Sequence, residues 1–249
     1  MLAPYIGVTG FMKKAEVSAA LETLDRLPNA SAHKLMVGVL ASGKTLAGRL
    51  NKWPNRYPNI NDIATLFPSD RRTVNLIHYA TDDRRTLEEQ LFTLIRLGGK
   101  YLDGFQLNVR WPDPETIKDI TCNCNRLVLQ LGRGALEEAG NDPEFAAKCL
   151  DAYEGVITDV LVDASGGRGI PIDPGAAQAY VCAIGARHPR LGIGVAGGLS
   201  SQAVGQLQPL VGPFPNLSMD AEGRLRTPED HLDIEAMKDY ITAANALFV

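Results

Sequence analysis

Three glycine-bearing junctions carry the clearest chemical signal in the sequence. Asp163-Ala-Ser runs into Gly166-Gly167-Arg168-Gly169; Gly197-Gly198 follows a later apolar run; Asp220-Ala-Glu222-Gly223 follows the last one. Glycine lets backbone N–H groups come close to an anion, and N–H groups at a helix start add to that field. Brought side by side, the three junctions suit one phosphate. The acids among them suit proton transfer, because a carboxyl whose pKa is lifted toward neutrality can act as general acid or base. His78 and Asn108 end two further apolar runs and are candidates for the same site, His78 as a base or ligand partner.

Such residues need a scaffold that collects strand ends. Short apolar runs at Pro4–Val8, Lys34–Leu40, Val74–Tyr79, Leu102–Asn108, Arg126–Leu131, Ile157–Val162, Gly192–Ala196 and Asn216–Met219 carry Val, Ile and Leu on both faces. Strands buried in a parallel sheet read this way. Amphipathic segments lie between them, among them Lys13–Arg26, Thr86–Leu97 and a final helix over Glu229–Phe248, while Pro114, Pro143 and Pro174 suit first helical turns. Eight strands, each followed by a helix or long loop, predict a single (β/α)8 barrel over residues 1–249, an α/β fold; a doubly wound open sheet is the alternative. In a barrel the three junctions share the C-terminal mouth. A long loop over residues 41–60, rich in Gly, Asn and Pro, belongs to the same end.

Composition narrows the function classes. The formal net charge of -4 offers no basic surface for nucleic acid. No apolar run reaches the ~18 residues of a membrane span, and the first residues lack the basic-then-apolar pattern of a signal peptide. The four cysteines, Cys122, Cys124, Cys149 and Cys182, lack zinc-like spacing and read as reduced thiols in a cytoplasmic protein. No metal or organic cofactor is implied, and a homodimer is left open.

The order of motifs resembles phosphoribosylanthranilate isomerase, a ribose-phosphate-binding barrel of tryptophan biosynthesis. Tyr5-Ile6-Gly7-Val8-Thr9 sits where that family has K-I-C-G-I-T. Arg56-Tyr57 with Asp62-Ile63-Ala64 resembles its R-Y-x-x-x-x-D-A, and Phe105-Gln106-Leu107-Asn108 its V-Q-L-H. Leu161-Val162-Asp163 with Gly166-Gly167-Arg168-Gly169 resembles L-L-D followed by G-G-x-G. Val195-Ala196-Gly197-Gly198-Leu199 resembles L-x-G-G-L, and Asp220-Ala221-Glu222-Gly223 stands at a D-V-S-S-G segment. The resemblance implies an Amadori-type aldose–ketose isomerisation with Asp163 as general acid. It also implies that Arg56 clamps the substrate's anionic ring or the acid, and that Gly166, Gly167, Gly169, Gly197, Gly198 and Gly223 grip the phosphate. It departs at the general base: the family's cysteine is replaced by Gly7, which has no side chain to accept a proton. Asp163 acting twice, Asp220 or Glu222 could fill the role; Thr9 shares Gly7's face of the strand, but a hydroxyl is a poor base.

The reading is thus an isomerase-like enzyme acting on a phosphorylated sugar or related small molecule. One alternative is an altered relative that binds such a ligand without turnover. Another is a nucleotide hydrolase, because Gly38-Val-Leu-Ala-Ser-Gly43-Lys44-Thr45 matches the P-loop pattern.

Overall fold

The computed structural model describes residues 2–163 and 173–249. Eight parallel strands close into one barrel in sequence order. They are β1 (Tyr5–Thr9), β2 (Lys34–Ser42), β3 (Thr73–Ala80), β4 (Gly104–Leu107), β5 (Arg126–Gly132), β6 (Asp159–Asp163), β7 (Gly192–Ala196) and β8 (Ser218–Ala221). β8 closes on β1 with Gly7 opposite Asp220. The expected (β/α)8 barrel is therefore the fold, and the open sheet is excluded. All eight apolar runs contain strands, with ends displaced by a few residues. The largest displacement is at β8, where Leu217 turns back to donate to the Phe214 carbonyl before pairing begins.

The helices are α1 (Lys14–Asp25), α2 (Gly43–Leu46), α3 (Ile63–Leu66), α4 (Leu87–Gly98), α5 (Pro114–Thr121), α6 (Arg133–Glu138), α7 (Pro143–Cys149), α8 (Pro174–Arg187), α9 (Gln208–Val211) and α10 (Ile234–Ala246). Three of them start on Asp-Pro. The proline fixes the first turn, while Asp113, Asp142 and Asp173 accept hydrogen bonds from the exposed N–H groups behind it. α10 begins later than the sequence suggests. Asp233 caps it, and the preceding residues instead bridge Arg226 to Leu232.

Burial separates two hydrophobic regions. The outer one joins the sheet's convex face to the helices, with Val8, Val37, Ile77, Phe105, Leu129 and Val160 from the strands and Leu91, Ile184 and Ile241 from helices. The inner one is a small plug of Tyr5, Met36, Val74, Leu76, Val128, Leu161 and Ala196. Side chains alternate across a strand. The residues two positions beyond this plug therefore face the axis too, at the C-terminal mouth: His78 after Leu76, Gln130 after Val128 and Asp163 after Leu161.

The segment after β2 is more ordered than a loop. The strand runs on to Ser42, and α2, two short 3-10 turns and α3 occupy residues 43–66. Gly38 to Ser42 are strand residues, so the P-loop match has no loop with which to cradle a phosphate. Lys44 is exposed on the single turn that follows.

Candidate active site at the barrel mouth

The polar residues at the mouth form one connected network. Thr9 Oγ1, from the end of β1, lies 2.9 Å from both carboxyl oxygens of Asp220 on β8. Gln106 Nε2, on β4, donates to Asp220 Oδ2 at 3.0 Å. The same nitrogen lies 3.1 Å from His78 Nδ1 and 3.3 Å from Gln130 Oε1. Gln130 Nε2 in turn donates to Asp163 Oδ2 at 2.8 Å. The two acids of the sequence reading are thus tied together through two carboxamides. An amide nitrogen has two hydrogens, so Gln106 cannot satisfy three acceptors at once. Its Oε1 is buried and has no partner.

Burial sets the electrostatics. Asp220 is held by neutral donors, and its pKa is pushed up to about 7. Desolvation is the main cause, opposed by the hydrogen bonds from Gln106 and Thr9 and assisted by the nearby charges of Glu222 and Asp163. His78 is pushed the other way by burial, which favours its neutral form; Glu222 and Asp163 partly offset this.

Gly7, where the resemblance noted in the sequence would put a cysteine, is closely packed. A Cβ built on Gly7 would stand 2.8 Å from Asp220 Oδ1 and 2.7 Å from the tip of Met36, with the Met219 carbonyl at 3.0 Å. The volume of a residue-7 side chain is occupied by the Asp220 carboxyl and by Met36.

Arg56 sits at the mouth but holds protein rather than open space. Its Nε donates to Asp230 at 2.9 and 3.0 Å, its Nη2 to Asp230 at 2.7 Å and its Nη1 to Glu222 at 2.8 Å. Its guanidinium also lies over the Trp53 ring. This clamp joins the segment after β2 to the segment after β8, reinforced by Asn55 Nδ2 donating to the Glu229 carbonyl. Arg226 adds a second, half-buried guanidinium at the C-terminal end of β1. It donates to the carbonyls of Thr9 and Gly10.

The remaining expected residues divide. Gly197 and Gly198 form a tight turn after β7 with φ of 116° and 60°, conformations that favour glycine. Gly223 follows β8 in a turn. Asn108 lies just past β4, its Oδ1 at 3.2 Å from where a Cβ on Gly132 would be. Gly166, Gly167 and Gly169 lie outside the described residues. Among the described residues no group of three His, Cys, Asp or Glu is placed to hold a metal, and no helix is long and apolar enough to cross a membrane. The four cysteines are free thiols. Sequence reasoning missed Gln106 and Gln130. The available signal was a polar residue at inward parity in an otherwise apolar strand.

The architecture defines a (β/α)8 barrel with its polar constellation at the mouth, the end where barrel enzymes carry their chemistry. No family model matches the chain, and no curated protein sequence matches it. Its fold is nevertheless a distant phosphoribosylanthranilate isomerase-like barrel. The phosphoribosylanthranilate isomerase of Thermus thermophilus superposes with a TM-score of 0.65 at 12% identity, covering 98% of this chain and 99% of that one. A monomeric form of the dimeric Thermotoga maritima enzyme gives 0.66 at 15% identity, covering 98% and 99%. A phosphoribosylanthranilate isomerase in complex with reduced 1-(o-carboxyphenylamino)-1-deoxyribulose 5-phosphate gives 0.62 at 15%, again covering 98% and 99%. At these identities the likeness establishes the shared fold.

Proposed function

We propose that the protein is an acid/base enzyme that moves a proton on a phosphorylated aminosugar or a related small molecule, with Asp220 as base and Asp163 as acid. The observation that carries this reading is the position and ionisation of Asp220. Its carboxyl fills the space beside Gly7, and its pKa near 7 matches the optimum for a general base at neutral pH.

A proton passes through Asp163, at the end of β6, to the ring oxygen of the aminoaldose. The C1–O bond breaks, and the nitrogen lone pair forms the C1=N bond. Ionised Asp220 takes the proton from C2; the electron pair of that C–H bond becomes the C1=C2 bond of an enamine as the C1=N pair returns to nitrogen. The C2 hydroxyl then gives up its proton through Asp163, and C1 takes the proton held by Asp220, which yields the aminoketose and restores both carboxyls. Thr9 and Gln106 orient the Asp220 carboxyl, and Gln130 orients that of Asp163. The turns at Gly197-Gly198 and Gly223, with Gly166, Gly167 and Gly169, take the phosphate. His78 and Asn108 contact the sugar hydroxyls.

The test is conversion of ribosylamine 5-phosphates in D2O, followed by NMR at the C2 proton of the aldose. Conversion well above the uncatalysed rate, lost in Asp220→Asn and in Asp163→Asn, is expected. Thermal stabilisation by ribose 5-phosphate without conversion would point instead to a binding protein. The observation that favours that second reading is Arg56, already held by Asp230 and Glu222.

A further inference from the structure

Where the segments after β2 and after β8 meet at the mouth, the charge balance is unusual. Arg56 is the cation that could meet an anionic substrate group there. Its three nitrogens are bound to Asp230 and Glu222, both carboxylates of this chain, and its side chain is only 9% exposed. A bidentate guanidinium–carboxylate pair of this kind is strong and geometrically specific. An incoming carboxylate would have to displace one of two partners already in place.

The surrounding field reinforces this. Glu222 acts on Asp220 and on His78, so its charge reaches the floor of the site, and Asp163 acts on the same two groups. Arg226 is the second cation, but its Nη groups are engaged by the Thr9 and Gly10 carbonyls, and Glu222, Asp230 and Glu16 lie in its field. Its Nε is buried and unpartnered. One N–H beside three carboxylates is a weak seat for a further anion. His78 is held toward its neutral form by burial.

A separate observation points to what does fit. Gln106 is fully buried at the floor, its nitrogen faces Asp220, Gln130 and His78, and its Oε1 has no partner among the described residues. An unpaired buried acceptor carries a desolvation cost that a ligand N–H or O–H would remove.

Resting on the acid/base reading above, we infer that this end of the site selects a hydrogen-bond-donating, uncharged or cationic group of the substrate, such as an amine, and rejects a carboxylate. The substrate is then a phosphorylated aminosugar whose nitrogen substituent bears no acid. Asp230 and Glu222 act as specificity-determining residues by keeping Arg56 occupied.

Three matched ligands test this by calorimetry on the full chain. All share the reduced phenylamino-deoxyribulose 5-phosphate skeleton and differ only at the ortho position, which carries hydrogen, aminomethyl or carboxylate. The expected order is aminomethyl tightest and carboxylate weakest, with the carboxylate at least tenfold below the unsubstituted compound. In the double variant Glu222→Gln, Asp230→Asn, the carboxylate compound should gain at least tenfold relative to the unsubstituted one. Equal or tighter binding of the carboxylate compound by the wild-type protein overturns the inference while leaving the acid/base reading intact. Failure of all three to bind overturns both. The wild-type ranking stands as a test even if the double variant does not fold.

Discussion

Asp159 and Asp220 are buried at opposite ends of the barrel interior, and their surroundings treat them in opposite ways. At the N-terminal end, Asp159 receives the Nε of Arg126 at 2.9 Å and a second bond from its Nη2, while the guanidinium lies over the Tyr5 ring and its Nη1 reaches the Ala3 carbonyl. At the mouth, among the described residues, Asp220 receives a hydroxyl and an amide but no cation, and two other carboxylates act on it. The first aspartate is neutralised by a full cation and closes the barrel. The second is left with a charge its surroundings do not match, so its proton becomes exchangeable near neutrality. A buried carboxylate therefore reads as structural or chemical according to its partner, not its burial.

The comparison can be broken or sharpened by substitution. The largest effect is expected from Asp220→Asn, which keeps shape and removes the base: turnover of a ribosylamine 5-phosphate should fall by about 10²–10⁴-fold, the usual range for general acid–base catalysis. Undiminished turnover would remove Asp220 from the mechanism. At the other end, Arg126→Met leaves Asp159 without its cation. Denaturant unfolding should show a loss of about 3–5 kcal/mol, and the mouth network should be unaffected.

A third contrast lies in pH dependence. The folded-state pKa of Asp220 is raised from 3.8 to about 7, so between those values the folded protein holds a proton that the unfolded chain has released. Its contribution to stability is fully present below about pH 4 and is lost as pH rises through 7, by up to roughly 4 kcal/mol at 1.36 kcal/mol per unit. Wild type minus Asp220→Asn, measured by denaturant unfolding from pH 4 to 8, should isolate that slope. A flat difference would mean that the carboxyl is not desolvated as described. The smallest effect is expected from Gly7→Ala. The added methyl meets Met36, Asp220 and the Met219 carbonyl at 2.7–3.0 Å. Overpacking of this kind costs about 1–3 kcal/mol and should also shift the Asp220 carboxyl, lowering turnover.

The fold was legible because buried parallel strands announce themselves as apolar runs, and because Asp-Pro pairs mark helix starts. Asp163, Asp220, His78 and Asn108 were legible as residues at strand ends. Their connections were not. Arg56 and Asp230 are 174 positions apart in the chain, and nothing in either segment signals that Arg56 is spoken for. Likewise, the raised pKa of Asp220 depends on burial first, then on Gln106, Thr9, Glu222 and Asp163, and Gln106, Thr9 and Asp163 come from three other strands. That residue 7 offers no side chain could be seen in the sequence. Only the closing of β8 onto β1 shows which carboxyl stands beside it.

The central claim, that Asp220 is the proton acceptor poised near neutrality, is tested most directly by carbon-13 NMR of the aspartate carboxyls across pH 3 to 9. One carboxyl should titrate near pH 7 and vanish from the spectrum of Asp220→Asn. If every aspartate titrates below about pH 5, the mouth holds an ordinary carboxylate and the account is contradicted.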